Sequence, residues 1–159
     1  MGKKAELFVQ SVKQAGGLMV MAVRYSGKEP DKRTGASREE YALPFEGAWT
    51  VVNGGVVKET SHSWDVLTQR YAYDFVILDD EGRSCRPDAD PADPATYYCN
   101  GLPVLAPADG VMVEASASCS NATVWLDCKV HFGGGHIRGH YVLIEHANGE
   151  FSCLCHLMP

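Results

Sequence analysis

The histidines, together with one carboxylate set in an apolar run, hold most of the chemistry this sequence can offer. Asp74 stands in Gln69-Arg70-Tyr71-Ala72-Tyr73-Asp74-Phe75-Val76, where strand alternation puts Ala72, Asp74 and Val76 on one face. An ionised carboxylate on such a face has to be paired, hydrogen-bonded or bound to a metal, because desolvating it alone is expensive. A structural aspartate and a metal ligand both meet that requirement. Twelve residues earlier, His62 occupies the polar segment Thr60-Ser61-His62-Ser63-Trp64, where an imidazole is either a surface residue or a ligand. His131, His136, His140 and His146 crowd around Gly133-Gly134-Gly135, and His156 follows near the C-terminal end. Clustering of that kind modestly raises the chance of a metal site.

The six cysteines do not form paired C-x2-C knuckles, which disfavours a structural zinc knuckle. Cys153 and Cys155 alternate with Leu154, so on a strand both thiols share one face, where they read as small buried hydrophobes. Cys85 and Cys99 bracket a long loop that a disulfide could close in an oxidising compartment.

The elements that must position these groups are short β-rich runs punctuated by turn residues. The runs are 48–52, 70–78, 104–106, 111–115, 123–130, 141–146 and 151–156. Asn148-Gly149 between the last two tolerates the positive φ of a tight turn and predicts a hairpin. Ala108-Asp109-Gly110 predicts a similar turn before Val111. Residues 79–94, rich in Asp and Pro, predict a surface loop without ladder pairing. Ahead of these runs, Phe8, Val12 and Ala15 predict a short amphipathic helix over 3–15, ended by Gly16-Gly17, and residues 18–25 predict a strand. Residues 26–40 turn to Lys, Asp, Arg, Gly and Pro and predict a linker. The expected organisation is thus a helix-strand extension over 1–40 and a main domain over 41–159. Its class is mainly β, an antiparallel sheet or barrel-like sandwich with a short N-terminal helix.

With 159 residues, 45% of them hydrophobic, the chain is large enough for one domain with a core. A net charge of -6 leaves no basic face for phosphates, which disfavours nucleic acid as a partner. Residues 18–23 form the most apolar run and are too few to span a bilayer, and polar residues break the N-terminus before a signal-peptide core develops.

Three stretches resemble the lysostaphin-type, LytM-like and β-lytic, zinc endopeptidases of bacterial cell walls. They are Gln-Arg-Tyr-Ala-Tyr-Asp-Phe-Val at 69–76, Gly-Leu-Pro-Val-Leu-Ala-Pro-Ala-Asp-Gly-Val-Met-Val at 101–113 and Arg-Gly-His-Tyr-Val-Leu-Ile-Glu-His-Ala-Asn-Gly-Glu at 138–150. The ending Cys-Leu-Cys-His-Leu-Met-Pro is similar to the family's strand bearing a catalytic histidine. The middle stretch also resembles lipoyl and biotinyl carrier domains, but those need a lysine in a tight turn, and Lys129 is in none.

The resemblance implies a duplicated hybrid motif fold and one Zn2+ ion held by a histidine, an aspartate and the second histidine of a His-x-His motif. Asp74 matches the aspartate. The commonest site of the first histidine is Arg70 here, and His62 matches the histidine of a longer-spaced subgroup. His156 matches the catalytic histidine beside the metal-bound water. No His-x-His occurs, so the resemblance implies an incomplete domain that lacks its third zinc ligand and its last strands. His136 and His140 have i, i+4 spacing that would suit a helix, which Gly135 and Gly139 oppose. The implied function is hydrolysis of peptide bonds in peptidoglycan, impaired by the missing ligand. The alternative is a non-catalytic module that binds wall peptides or a partner hydrolase. An extracytoplasmic location follows from the substrate, and self-association follows from sheet edges left unpaired.

Overall fold

The computed structural model describes residues 36–64, 69–116 and 139–158, together with the separate positions 12, 15, 16, 19, 20, 23, 26 and 27. Among the described residues five strands form two antiparallel sheets. β1 (Thr50–Gly54) pairs with β2 (Tyr73–Val76), and β3 (Val111–Ser116), β4 (Tyr141–Glu145) and β5 (Phe151–Leu154) follow one another in a meander. The mainly β, antiparallel class expected from the runs is what the chain adopts. The run 123–130 lies outside the described residues.

The three-stranded sheet shows how the alternating pattern becomes packing. Tyr141 and Ile144 of β4 are the buried apolar residues of the described core, and the Tyr141 hydroxyl donates to the Glu114 carboxylate across the β3–β4 pair. Beyond β4 the Asn148-Gly149 turn forms as predicted: the His146 N–H donates to Glu150 O (2.8 Å), the Gly149 N–H to His146 O (3.0 Å), and Gly149 takes φ +71°. His146 itself is buried beside this turn, with Nδ1 2.8 Å from the Asp109 carbonyl and Nε2 2.9 Å from Ser152 Oγ. A carbonyl only accepts, so Nδ1 is the donor to Asp109. Gly110 has to be glycine for this packing, since a Cβ there would fall 2.6 Å from Glu145 O and 2.9 Å from His146 Nδ1.

Three expectations change. The run 104–106 is not a strand. Pro103 and Pro107 remove donors on either side of it, and its pairing reduces to Leu105 N–H on Pro44 O (2.8 Å) and Ala42 N–H on Pro107 O (2.7 Å). The Asp/Pro loop does carry a fragment of ladder: Cys85 pairs opposite Tyr97, flanked by Arg86 N–H on Thr96 O and Tyr98 N–H on Ser84 O. Cys85 and Cys99 are free thiols in the structure. Asp79 organises the loop mouth, accepting from the backbone N–H and guanidinium of Arg83 and from the Tyr98 hydroxyl, and the Arg83 backbone N–H leads in holding its carboxyl down at about 2. In the N-terminal extension, Met19, Val20 and Val23 are helical where a strand is predicted, and most of the helix expected over 3–15 falls outside the described residues.

The last part of the expected linker is tied to the domain. Glu150 accepts from the Ser37 hydroxyl (2.7 Å), the Arg38 N–H (2.7 Å), the Glu39 N–H (3.5 Å) and the Tyr41 hydroxyl (3.0 Å), while Asn148 Nδ2 donates to Glu39 (2.6 Å). These donors, the Ser37 hydroxyl first, lower the Glu150 pKa from 4.5 to about 2.

Candidate metal centre

The two-stranded sheet positions the chemistry. A register shift between Val51 and Asn53 places Asn53 opposite Asp74. The Asn53 side-chain carbonyl accepts from the Gly54 N–H (2.9 Å) and from the His62 N–H (3.1 Å), so the residue opposite the aspartate also anchors the histidine's backbone. Gly54, at φ +121°, allows the close approach: a Cβ there would lie 2.6 Å from Ala72 O and 2.8 Å from Tyr73 Cα.

Segment 60–64 is held from below by its alternate side chains. Ser61 Oγ donates to Arg70 O (2.8 Å) and Ser63 Oγ to Gln69 O (2.7 Å), and both serines are buried. His62, between them, points outward. Arg70 supports the same segment: its Nε donates to Trp64 O (2.9 Å) and its guanidinium lies 5.2 Å from the Trp64 ring centroid. Trp64 in turn meets Tyr71 edge to face at 5.6 Å.

The result is a histidine and an aspartate brought face to face, His62 Nδ1 lying 3.5 Å from Asp74 Oδ2, with the two side chains 46% and 44% exposed. The carboxylate that needed a partner has one. At 3.5 Å the pair is at the outer limit of a hydrogen bond. With metal–N and metal–O bonds of 2.0–2.2 Å, two corners of a zinc tetrahedron are roughly 3.4 Å apart. The separation matches that of two donors sharing one ion, and both side chains are open to solvent.

His156 belongs to the other sheet, two residues past the end of β5, exposed and at φ +58°. Gly139 packs against it, the missing Cβ leaving 3.3 Å to His156 Nδ1, and the Leu157 N–H donates to His140 O (2.9 Å). Among the described residues no group of three or more His, Cys, Asp and Glu side chains could hold one metal ion. The structure joins His62 to Asp74 and leaves the pair without a third protein ligand among those residues. His140 is buried beside His156 with neither ring nitrogen hydrogen-bonded, and His131 and His136 lie outside the described residues. Sequence reading missed Asn53 and the two serines, for which Ser-His-Ser at 61–63, two short polar residues flanking an imidazole, was the available signal.

No protein-family model, no curated protein and no solved structure matches this chain.

Proposed function

We propose that this chain is a zinc-dependent endopeptidase domain acting on the peptides of bacterial peptidoglycan, impaired by the lack of a third protein ligand since no His-x-His occurs, with His62 and Asp74 as metal ligands and His156 as the catalytic histidine. The observation that carries the reading is the exposed His62–Asp74 pair, whose 3.5 Å separation suits two neighbouring ligands of one tetrahedral ion. Bound there, zinc supplies Lewis acidity and a water acidified to a pKa of about 7. The chain's own residues do the rest. Asn53, Ser61 and Ser63 fix the backbone that presents His62, and the β1–β2 register presents Asp74 to it. To His156 the resemblance assigns the moving of a proton to or from the reacting amide. The substrate lies outside the cytoplasm, which is where the domain would work.

Zinc content tests the reading. Protein dialysed against buffered zinc should retain one ion, and His62→Ala or Asp74→Ala should each lower retention by at least tenfold or so, as expected when one of few first-layer ligands is deleted. Release of new amino groups from purified peptidoglycan should fall in the same variants and in His156→Ala, the last with zinc retained. Zinc held equally by all four proteins would sink the assignment. Metal-independent binding of wall peptides would instead favour a non-catalytic module. The proposal includes self-association, because β3 and β5 are the outer strands of their sheet among the described residues, and Val111, Met112, Val113 and Phe151 on them are exposed.

A further inference from the structure

Cys153 and Cys155 share a face of β5 and its extension, as their spacing predicts, but they are not buried hydrophobes. Cys153 is exposed, Cys155 is half-buried, and their sulfurs lie 3.5 Å apart in a thiol–thiol hydrogen bond. Phe151 and Cys153 lie on one face of β5, and both are exposed.

Two chemistries use adjacent thiols. A disulfide needs Cα atoms within about 6.8 Å. Residues i and i+2 on an extended strand stand roughly 6.6 Å apart, at the edge of that range, so closing the bond would buckle the end of β5. Chelation asks for less. With metal–sulfur bonds near 2.3 Å, two corners of a tetrahedron are roughly 3.8 Å apart, within a few tenths of an ångström of the separation already present.

We propose that Cys153 and Cys155 form a two-thiolate site for a thiophilic closed-shell divalent cation of the Zn2+ and Cd2+ class, separate from the His62–Asp74 pair. Binding replaces two S–H bonds by two S–metal bonds and releases two protons. Soft sulfur donors favour Cd2+ far more than the N/O pair does, which lets the two sites be told apart. The site adjoins His156, so an ion held there stiffens the turn that carries that imidazole. The proposal stands whether or not the chain is a peptidase.

The test is a Cd2+ titration of the full chain, reduced and stripped of metal, read by the thiolate-to-metal charge-transfer band and by mass-spectrometric mapping of alkylated cysteines. One equivalent of Cd2+ should protect Cys153 and Cys155 while Cys85 and Cys99 react at unchanged rates. Cys153→Ser and Cys155→Ser should each weaken binding roughly a hundredfold, the loss expected when one of two linked donors is removed. His62→Ala and Asp74→Ala should leave it unchanged. Equal alkylation of Cys153 and Cys155 with and without Cd2+ would overturn the proposal, and because that comparison uses the parent protein it holds even where a variant fails to fold.

Discussion

His146, in the three-stranded sheet, commits both ring nitrogens to groups of its own chain, the Asp109 carbonyl and the Ser152 hydroxyl, and is only 3% exposed. His62, over the two-stranded sheet, is nearly half exposed and its ring meets one carboxylate, Asp74, at 3.5 Å. The same imidazole is a packing element in one region and an open donor in the other. What separates them is how many lone pairs and protons the chain itself satisfies. A histidine whose hydrogen-bonding capacity is filled from within has none left for a ligand.

Exchanging the two residues for alanine should break the comparison most visibly. His146→Ala removes a buried ring and strands the Asp109 carbonyl, and a loss of about 2–4 kcal/mol in unfolding free energy is expected from the cavity and the unmade hydrogen bonds. Its zinc content should be unchanged. His62→Ala should shift stability by less than about 0.5 kcal/mol, as an exposed substitution does. Denaturant melts of both variants, run beside zinc determinations, check the crossed pattern. A large stability loss in His62→Ala would mean that it too is structural.

A finer probe is Asn53, which anchors the His62 backbone without touching the proposed ion. Asn53→Ala deletes the acceptor of the His62 and Gly54 N–H groups and leaves both metal donors in place. Zinc affinity is expected to fall by roughly tenfold to a hundredfold, the usual effect of losing a group that orients a ligand. Asn53→Asp keeps the acceptor and should restore most of it. Equilibrium dialysis of the pair decides whether the β1 anchor matters to the site or only to the fold.

These differences also explain what was legible in the sequence. β4, β5 and their hairpin could be read because Asn148-Gly149 demands a tight turn and the flanking residues alternate, so local chemistry and tertiary structure agree. Asp74 could be singled out because a carboxylate in an apolar run needs a partner, while His62 entered only through the resemblance, as a zinc ligand beside it. The run 104–106 failed because two prolines remove ladder donors, a cost that hydrophobic alternation does not register. Cys153 and Cys155 were placed on the right face but at the wrong depth, since burial depends on whether another layer covers an edge strand, and that is a property of distant residues. Asn53 was invisible because its role rests on a register shift in β1 that no local pattern encodes.

Glu150 extends the comparison to carboxylates. Asp74 faces a single imidazole, whereas Glu150 accepts from two backbone N–H groups and two hydroxyls of residues 37–41. Its pKa falls from 4.5 to about 2 in the folded chain, so between those values the unfolded state binds more protons than the folded one. The stabilisation it contributes is fully present above about pH 4.5 and is lost as pH falls through about 2. Glu150→Gln, which keeps an acceptor but cannot ionise, should release segment 37–41 at neutral pH and flatten the acid dependence across that window. Amide exchange of Arg38 and Glu39, followed from pH 6 to pH 2, should show the parent's protection fading as Glu150 protonates and the variant unprotected throughout. The proposed His62–Asp74 metal site is untouched by this outcome, because the clasp belongs to the sheet that His146 packs and those two residues stand at the other.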